Sequence, residues 1–192
     1  MNRKTPSVTL AAVVALAVLG YAWASEPLKV NSRTLAGMKL AVPSNAGERE
    51  YLGLSGQGTF TMPEISTDVL IVEVFSMYCP ICQATAEETN KLHELIERDP
   101  ALRGKVKLIG VGIGNTPFEV NMFRKKFHVA FPLFADDNSA IREAFSEPVR
   151  TPTFIIVELK GKKKLRVLST SVGKFDDAEA FLKAVTGAAI RK

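Results

Sequence analysis

An α/β domain built on a central mixed sheet is what this sequence predicts, and three stretches predict it. Val69-Leu70-Ile71-Val72-Glu73-Val74-Phe75 is a run of strand-forming residues of the buried kind. A helical pattern begins at Pro80, and Val106-Lys107-Leu108-Ile109-Gly110-Val111-Gly112 follows it, apolar on both faces as a central parallel strand requires. Strand, helix and strand make one βαβ crossover. Residues 153–159 and 164–169, joined across Lys160-Gly161, read as an antiparallel hairpin on the same sheet.

The elements follow in chain order. Arg3 and Lys4 precede an apolar stretch from Val8 to Leu19, and Tyr21-Ala22-Trp23-Ala24 then supplies a small-x-small cleavage pattern ahead of Ser25. This predicts a signal peptide over residues 1–24. The competing reading is an uncleaved membrane anchor, since residues 5–25 carry no charge and approach the length of a bilayer span. Either way the rest of the chain is exported. The expected location is the periplasm, free if the segment is cleaved and held at the inner membrane, facing the periplasm, if it is not.

Residues 25–50 contain Pro27, Gly37, Pro43, Asn45 and Gly47 with weak periodicity and predict an irregular lead-in to a domain over 51–188. Residues 51–54 and 59–62 flank Ser55-Gly56-Gln57-Gly58, a hairpin with a glycine turn. In the helix after Pro80, a residue suited to a first turn, Ala84, Thr85, Glu88, Leu92, Leu95 and Ile96 recur at helical spacing up to Asp99-Pro100. Thr116-Pro117-Phe118-Glu119 opens another helix, with Phe118, Met122, Phe123 and Phe127 expected on one face. A short strand at Phe131-Pro132-Leu133-Phe134 and a brief helix through Phe145, capped by Asn138 or Ser139, come next. Asp176 with Glu179 reads as the capping box of a closing helix that carries Ala180, Leu182 and Val185.

With 192 residues, 46% of them hydrophobic, the chain suits one globular domain plus the N-terminal segment. Without Arg3 and Lys4 it has 23 basic against 20 acidic residues, a net +3, and no aromatic interleaving that would suit nucleic acid. The basic run Lys160, Lys162, Lys163, Lys164 and Arg166 reads as a solvated hairpin tip, or as a docking patch for an acidic partner or lipid headgroups.

Cys79 and Cys82 are the chain's two cysteines. A single pair cannot staple a domain of this size at several places, so it reads as a working pair. In Cys79-Pro80-Ile81-Cys82 the thiols sit on the first turn of a helix, whose unpaired N–H groups and dipole stabilise a thiolate. Zinc needs four ligands, and His93 and His128 lie far outside the spacings that accompany paired cysteines, so no metal and no other cofactor is expected. Cys79, at the helix start, is the expected nucleophile and Cys82 the resolving thiol.

The order of elements, with Val72 to Cys82, Phe131-Pro132-Leu133-Phe134-Ala135-Asp136 and Arg150-Thr151-Pro152-Thr153-Phe154, resembles the thioredoxin superfamily, in its exported TlpA-like and redoxin branch, over about residues 50 to 188. The resemblance implies a three-layer fold with an N-terminal hairpin extension and an inserted strand and helix before a cis-proline loop. It also implies a cis bond before Pro152, with Thr151 and Pro152 beside the cysteines and Tyr78, Pro80 and Ile81 sharing in substrate binding. Glu73 falls where the family keeps a buried acid, usually aspartate, and would accept the proton of Cys82; sheet alternation toward solvent is the other reading. Tyr78 stands where many relatives have tryptophan and is expected to shield the pair.

The activity implied is reduction of disulfides in exported proteins, including those of cytochrome c maturation, with a membrane-embedded thiol reductase as electron donor. The competing activity is that of a peroxiredoxin-like thiol peroxidase, with Cys79 peroxidatic and Cys82 resolving. Ser76 and Arg150 fit that pattern, but Val72 replaces its proline. A third reading is a binding module with a permanent disulfide.

Overall fold

In the computed structural model, which describes residues 28–160 and 164–190, the segment before Tyr51 is regular rather than irregular. It forms α1 (Ser32–Gly37), β1 (Lys39–Ala41) and α2 (Ala46–Leu52). The Asn31 carboxamide oxygen accepts from the N–H groups of Arg33 and Thr34, and that of Asn45 accepts from Glu48, capping the two helices. Elements this short do not hold their shape alone. Burial of Leu35, Leu40 and Leu52 in the core holds them.

β1 pairs antiparallel with β2 (Thr59–Thr61), with Leu40 opposite Phe60. A two-stranded N-terminal extension is therefore present, but Tyr51 and Leu52 end a helix instead of forming a hairpin strand. Gly53 closes that helix at φ 69°, and a Cβ there would come within 2.5 Å of the Ser66 side chain. The predicted signal segment, 1–24, and the tip of the later hairpin, 161–163, lie outside the described residues.

The main sheet is built from β3 (Val69–Phe75), β4 (Val106–Ile113), β5 (Leu133–Asp136), β6 (Thr153–Lys160) and β7 (Lys164–Val172), in the spatial order β5-β4-β3-β6-β7. β3, β4 and β5 are parallel; β6 pairs antiparallel with β3 and with β7. α3 (Pro80–Arg98) links β3 to β4, α4 (Pro117–Phe127) links β4 to β5, and α5 (Ala178–Ile190) ends the described chain. β5 begins two residues later than expected. Pro132 has no N–H to give, and it contributes its carbonyl to the Gly110 N–H at 2.9 Å.

Strand alternation divides the core into two layers. Ile71, Phe75, Leu108 and Phe154 meet Leu92 and Ile96 of α3, Val120 and Phe123 of α4, and Leu182 and Val185 of α5. On the opposite face Leu70, Val72, Val74, Val111 and Ile155 meet the N-terminal elements and the 3₁₀ turn Ala140–Ala144. Gly110 permits the closest approach in the first layer, for a Cβ there would fall 2.4 Å from Leu133 and 3.2 Å from Phe75.

Several local expectations need correction. α4 buries Val120 and Phe123, whereas Phe118 and Met122 point to solvent, because the two pairs occupy opposite sides of a 3.6-residue turn. In α3 Ala84 is exposed, and Ala86 and Thr89 join Thr85, Leu92 and Ile96 in the core. Asp136 caps the 3₁₀ turn by accepting from the N–H groups of Ala140 and Ile141, with Asn138 a second acceptor for Ala140. At the last helix Asp177, not Asp176, accepts from Glu179 and Ala180; Asp176 pairs with Lys174.

Candidate active site

The carboxyl end of β3 turns through Ser76, Met77 and Tyr78 into α3, and Cys79 is the residue that caps this helix. Its φ of −82° and ψ of 114° are extended, and Pro80 follows at the first helical position, where no N–H is needed. The Cys82 N–H donates to Cys79 Sγ at 3.3 Å, so the thiol takes the place a serine or aspartate oxygen has in an ordinary cap. Cys79 is partly exposed and Cys82 is buried one turn deeper, both as free thiols.

The two sulfurs are inequivalent in electrostatics as well. Burial opposes ionisation of Cys79, but the Thr151 side chain, Cys82 and the Ile81 N–H outweigh it with hydrogen bonds and hold the thiol below its ordinary pKa. Burial pushes Cys82 far up, and the hydrogen bond to Cys79 and the negative charges of Cys79 and Glu73 push it further, against a lowering contact from the Ser76 backbone.

Glu73 lies inside β3 with Gly110 of β4 and Phe154 of β6 as cross-strand neighbours. At 2% exposure it does not face solvent. It shares the helical face of the sheet with Ile71 and Phe75, and burial raises its carboxyl to about 8, with the charge of Cys79 adding to the rise.

Thr151-Pro152 is a cis peptide bond immediately before β6. The loop reaches the cysteines: the Cys79 thiol donates to the Thr151 carbonyl at 3.2 Å, and Pro152 is buried. Pro80 and Ile81 are exposed beside the pair. Tyr78 is 66% exposed, and its hydroxyl donates to Glu119 at the start of α4.

Three further residues shape the site and were not apparent in the sequence. Asn115, fully buried, accepts from the Met77 N–H at 2.8 Å, and Gln83 donates to the Met77 carbonyl at 2.8 Å. Together they fix the N–H and the carbonyl of Met77, two residues from Cys79. Glu119 completes a capping box with Thr116, which was legible, and also receives Tyr78, which was not. The Thr-Pro-x-Glu signature identified the helix start; nothing in it pointed across to the cysteines.

Ser76 and Arg150, the two residues that fit the peroxidase pattern, lie at the β3–α3 turn and just before the cis-proline bond. Arg150 is exposed and is not among the groups acting on Cys79, while the Ser76 hydroxyl accepts from Tyr78 N–H at 3.4 Å. Among the described residues no group of three or more His, Cys, Asp or Glu side chains is placed to hold a metal ion.

Comparison with known proteins agrees with this architecture. The family model described as Redoxin matches residues 55–182. StoA from Bacillus subtilis is similar in structure at 20% identity and a TM-score of 0.52, covering 68% of this chain and 90% of its own. A secreted Mycobacterium tuberculosis disulfide oxidoreductase, described as homologous to E. coli DsbE, has 12% identity and a TM-score of 0.55, covering 81% of this chain and 98% of its own. A putative thiol:disulfide interchange protein DsbE from Chlorobium tepidum has 15% identity and a TM-score of 0.56, covering 84% and 97%. At these identities the likeness is one of fold, the thioredoxin-like three-layer arrangement. Among curated proteins nothing matches the sequence.

Proposed function

Since the chain belongs to the redoxin family, we propose that it is a thiol–disulfide oxidoreductase that reduces disulfides of exported proteins through Cys79 and Cys82. The observation that carries this reading is the pairing of a partly exposed thiol held below its ordinary pKa with a buried one held far above it, one helical turn apart.

The Cys79 thiolate attacks one sulfur of a substrate disulfide; a bond forms between the two sulfurs and the other substrate sulfur leaves as a thiolate. That step removes the negative charge at Cys79. The same charge had been raising both Cys82 and Glu73, so its loss lowers both and makes the second thiol easier to ionise. With its pKa so lowered, the Glu73 carboxyl first gives up its own proton to solvent; the carboxylate takes the proton of Cys82, the Cys82 sulfur displaces the substrate from Cys79, and the released substrate thiolates take their protons from solvent. The substrate gains two electrons and two protons in all, and the protein is left with a Cys79–Cys82 disulfide. The Thr151 backbone, against Cys79, is the edge along which a bound polypeptide lies.

The periplasm is the proposed compartment, supported by the exported character of residues 1–24, and cytochrome c maturation is the proposed context. A membrane-embedded thiol reductase returns the pair to its dithiol form. Pro80-Ile81 carries no histidine to stabilise the reduced thiolate further, in keeping with a reductant rather than a strong oxidant.

Reduction of insulin disulfides by the reduced protein tests the reading. Turnover lost in Cys79→Ser is the expected result; hydrogen peroxide consumption without insulin reduction would replace it with a peroxidase.

A further inference from the structure

The exposed large apolar side chains among the described residues are Tyr78, Ile81, Phe118 and Met122. Two belong to the cysteine segment and two to α4. The segments are fixed to each other: Met77 N–H donates to Asn115, just before α4, and the Tyr78 hydroxyl donates to Glu119 in its first turn. Glu119 is itself locked by accepting from the N–H and hydroxyl of Thr116 at 2.7 and 3.0 Å. At about 100° per residue, Met122 projects between Phe118 and Glu119, so the face of α4 that meets Tyr78 is the face that carries Phe118 and Met122. An apolar strip therefore starts at Tyr78, one residue from Cys79, and continues along α4. Lys125, exposed and three residues beyond Met122 on that face, ends it with a positive charge.

Resting on the oxidoreductase reading above, we propose that this strip receives an extended polypeptide segment whose reacting cysteine is flanked by alternate apolar side chains, with an acidic group at its far end. The occupant follows from the chemistry. Disulfide exchange brings a substrate sulfur to bonding distance of Cys79 Sγ, so the residues next to that sulfur lie over Tyr78 and the start of α4. Phe118 and Met122 are about 6 Å apart along the helix axis, and alternate side chains of an extended chain recur at about 6.6 Å. The two spacings match, and the acidic end faces Lys125. Contact of this kind selects substrates, whereas the chemistry stays with the cysteines.

Two symmetric peptide disulfides test the proposal. In one, the cysteine has leucine at alternate positions on both sides with a terminal glutamate; in the other, serine replaces leucine. In each reaction Cys79 attacks one peptide sulfur and releases the first peptide as a thiolate. Cys82 then releases the second, leaving two peptide thiols and an oxidised protein. The reduced protein should prefer the leucine peptide by a rate ratio on the order of tenfold. The ratio should fall toward one in the double variant Phe118→Ser, Met122→Ser and persist in Phe118→Leu, Met122→Leu. A wild-type ratio near one, or a preference that survives the serine substitutions, overturns the docking surface and leaves the oxidoreductase reading standing. Failure to reduce either peptide overturns both.

Discussion

Glutamine at position 73 keeps the volume of the buried acid and removes its titration, so the variant Glu73→Gln isolates what burial of a carboxyl does to this fold. Glu73 is 2% exposed, and its carboxyl is raised from 4.5 to about 8. Below pH 4.5 it is protonated in folded and unfolded chains alike and favours neither. Between pH 4.5 and 8 the unfolded chain releases the proton and the folded one retains it, so wild-type stability falls as pH rises. At pH 7 the shift corresponds to about 3 kcal/mol, and above pH 8 it levels off near about 5 kcal/mol. Glutamine carries none of this dependence. Chemical denaturation of the two reduced proteins between pH 4 and 9 should give stability curves that meet at the acid end and diverge by about 3 kcal/mol at pH 7, with the variant more stable. Parallel curves would show that Glu73 is not a buried, protonated acid and would remove it from the second proton transfer.

Alkylation by iodoacetamide should modify Cys79 with a pH midpoint below that of a free thiol, while Cys82 stays unmodified in the folded protein; equal modification of both, read by peptide mass, would contradict the assigned asymmetry. Gly110→Ala forces a methyl group against Leu133 and Phe75, and a loss of about 1–3 kcal/mol in denaturant unfolding is expected, where no loss would mean the strand contact is looser than described. Asn115→Ala leaves the Met77 N–H without its acceptor but also removes a buried Nδ2 that has no partner among the described residues. The expected loss is therefore at the low end of an unmade buried hydrogen bond, about 1 kcal/mol, accompanied by a shifted Cys79 alkylation midpoint; an unmoved midpoint would confine Asn115 to a structural role.

The parts of the fold readable in advance were those whose signal is long. β3 and β4 are uninterrupted apolar runs, α3 spans 19 residues between Pro80 and Asp99, and two strands joined by Lys160-Gly161 can hardly be anything but a hairpin. The segment ahead of Tyr51 was not readable, because α1, β1 and α2 are six, three and seven residues long, too short for a period to emerge. Their order comes from tertiary burial of Leu35, Leu40 and Leu52, which single-sequence patterns do not express. The same division runs through the site. Cys79 and Cys82 announce themselves by spacing, and Glu73 by being an acid inside an apolar run; the Thr151-Pro152 loop was expected beside them from the family resemblance. Asn115, Gln83 and Glu119 read as an ordinary loop residue, a helix polar residue and a cap, since their second role is a contact across 38, 6 and 41 residues of chain.

Trapping on Cys79 is the most direct measurement of the central claim. With the Cys82→Ala protein and a peptide disulfide, a mixed disulfide should accumulate to one peptide per protein, its mass mapping to Cys79, whereas Cys79→Ala should accumulate none. Equal trapping on both single-cysteine proteins, or none on Cys82→Ala, would contradict an exposed nucleophile resolved by a buried partner.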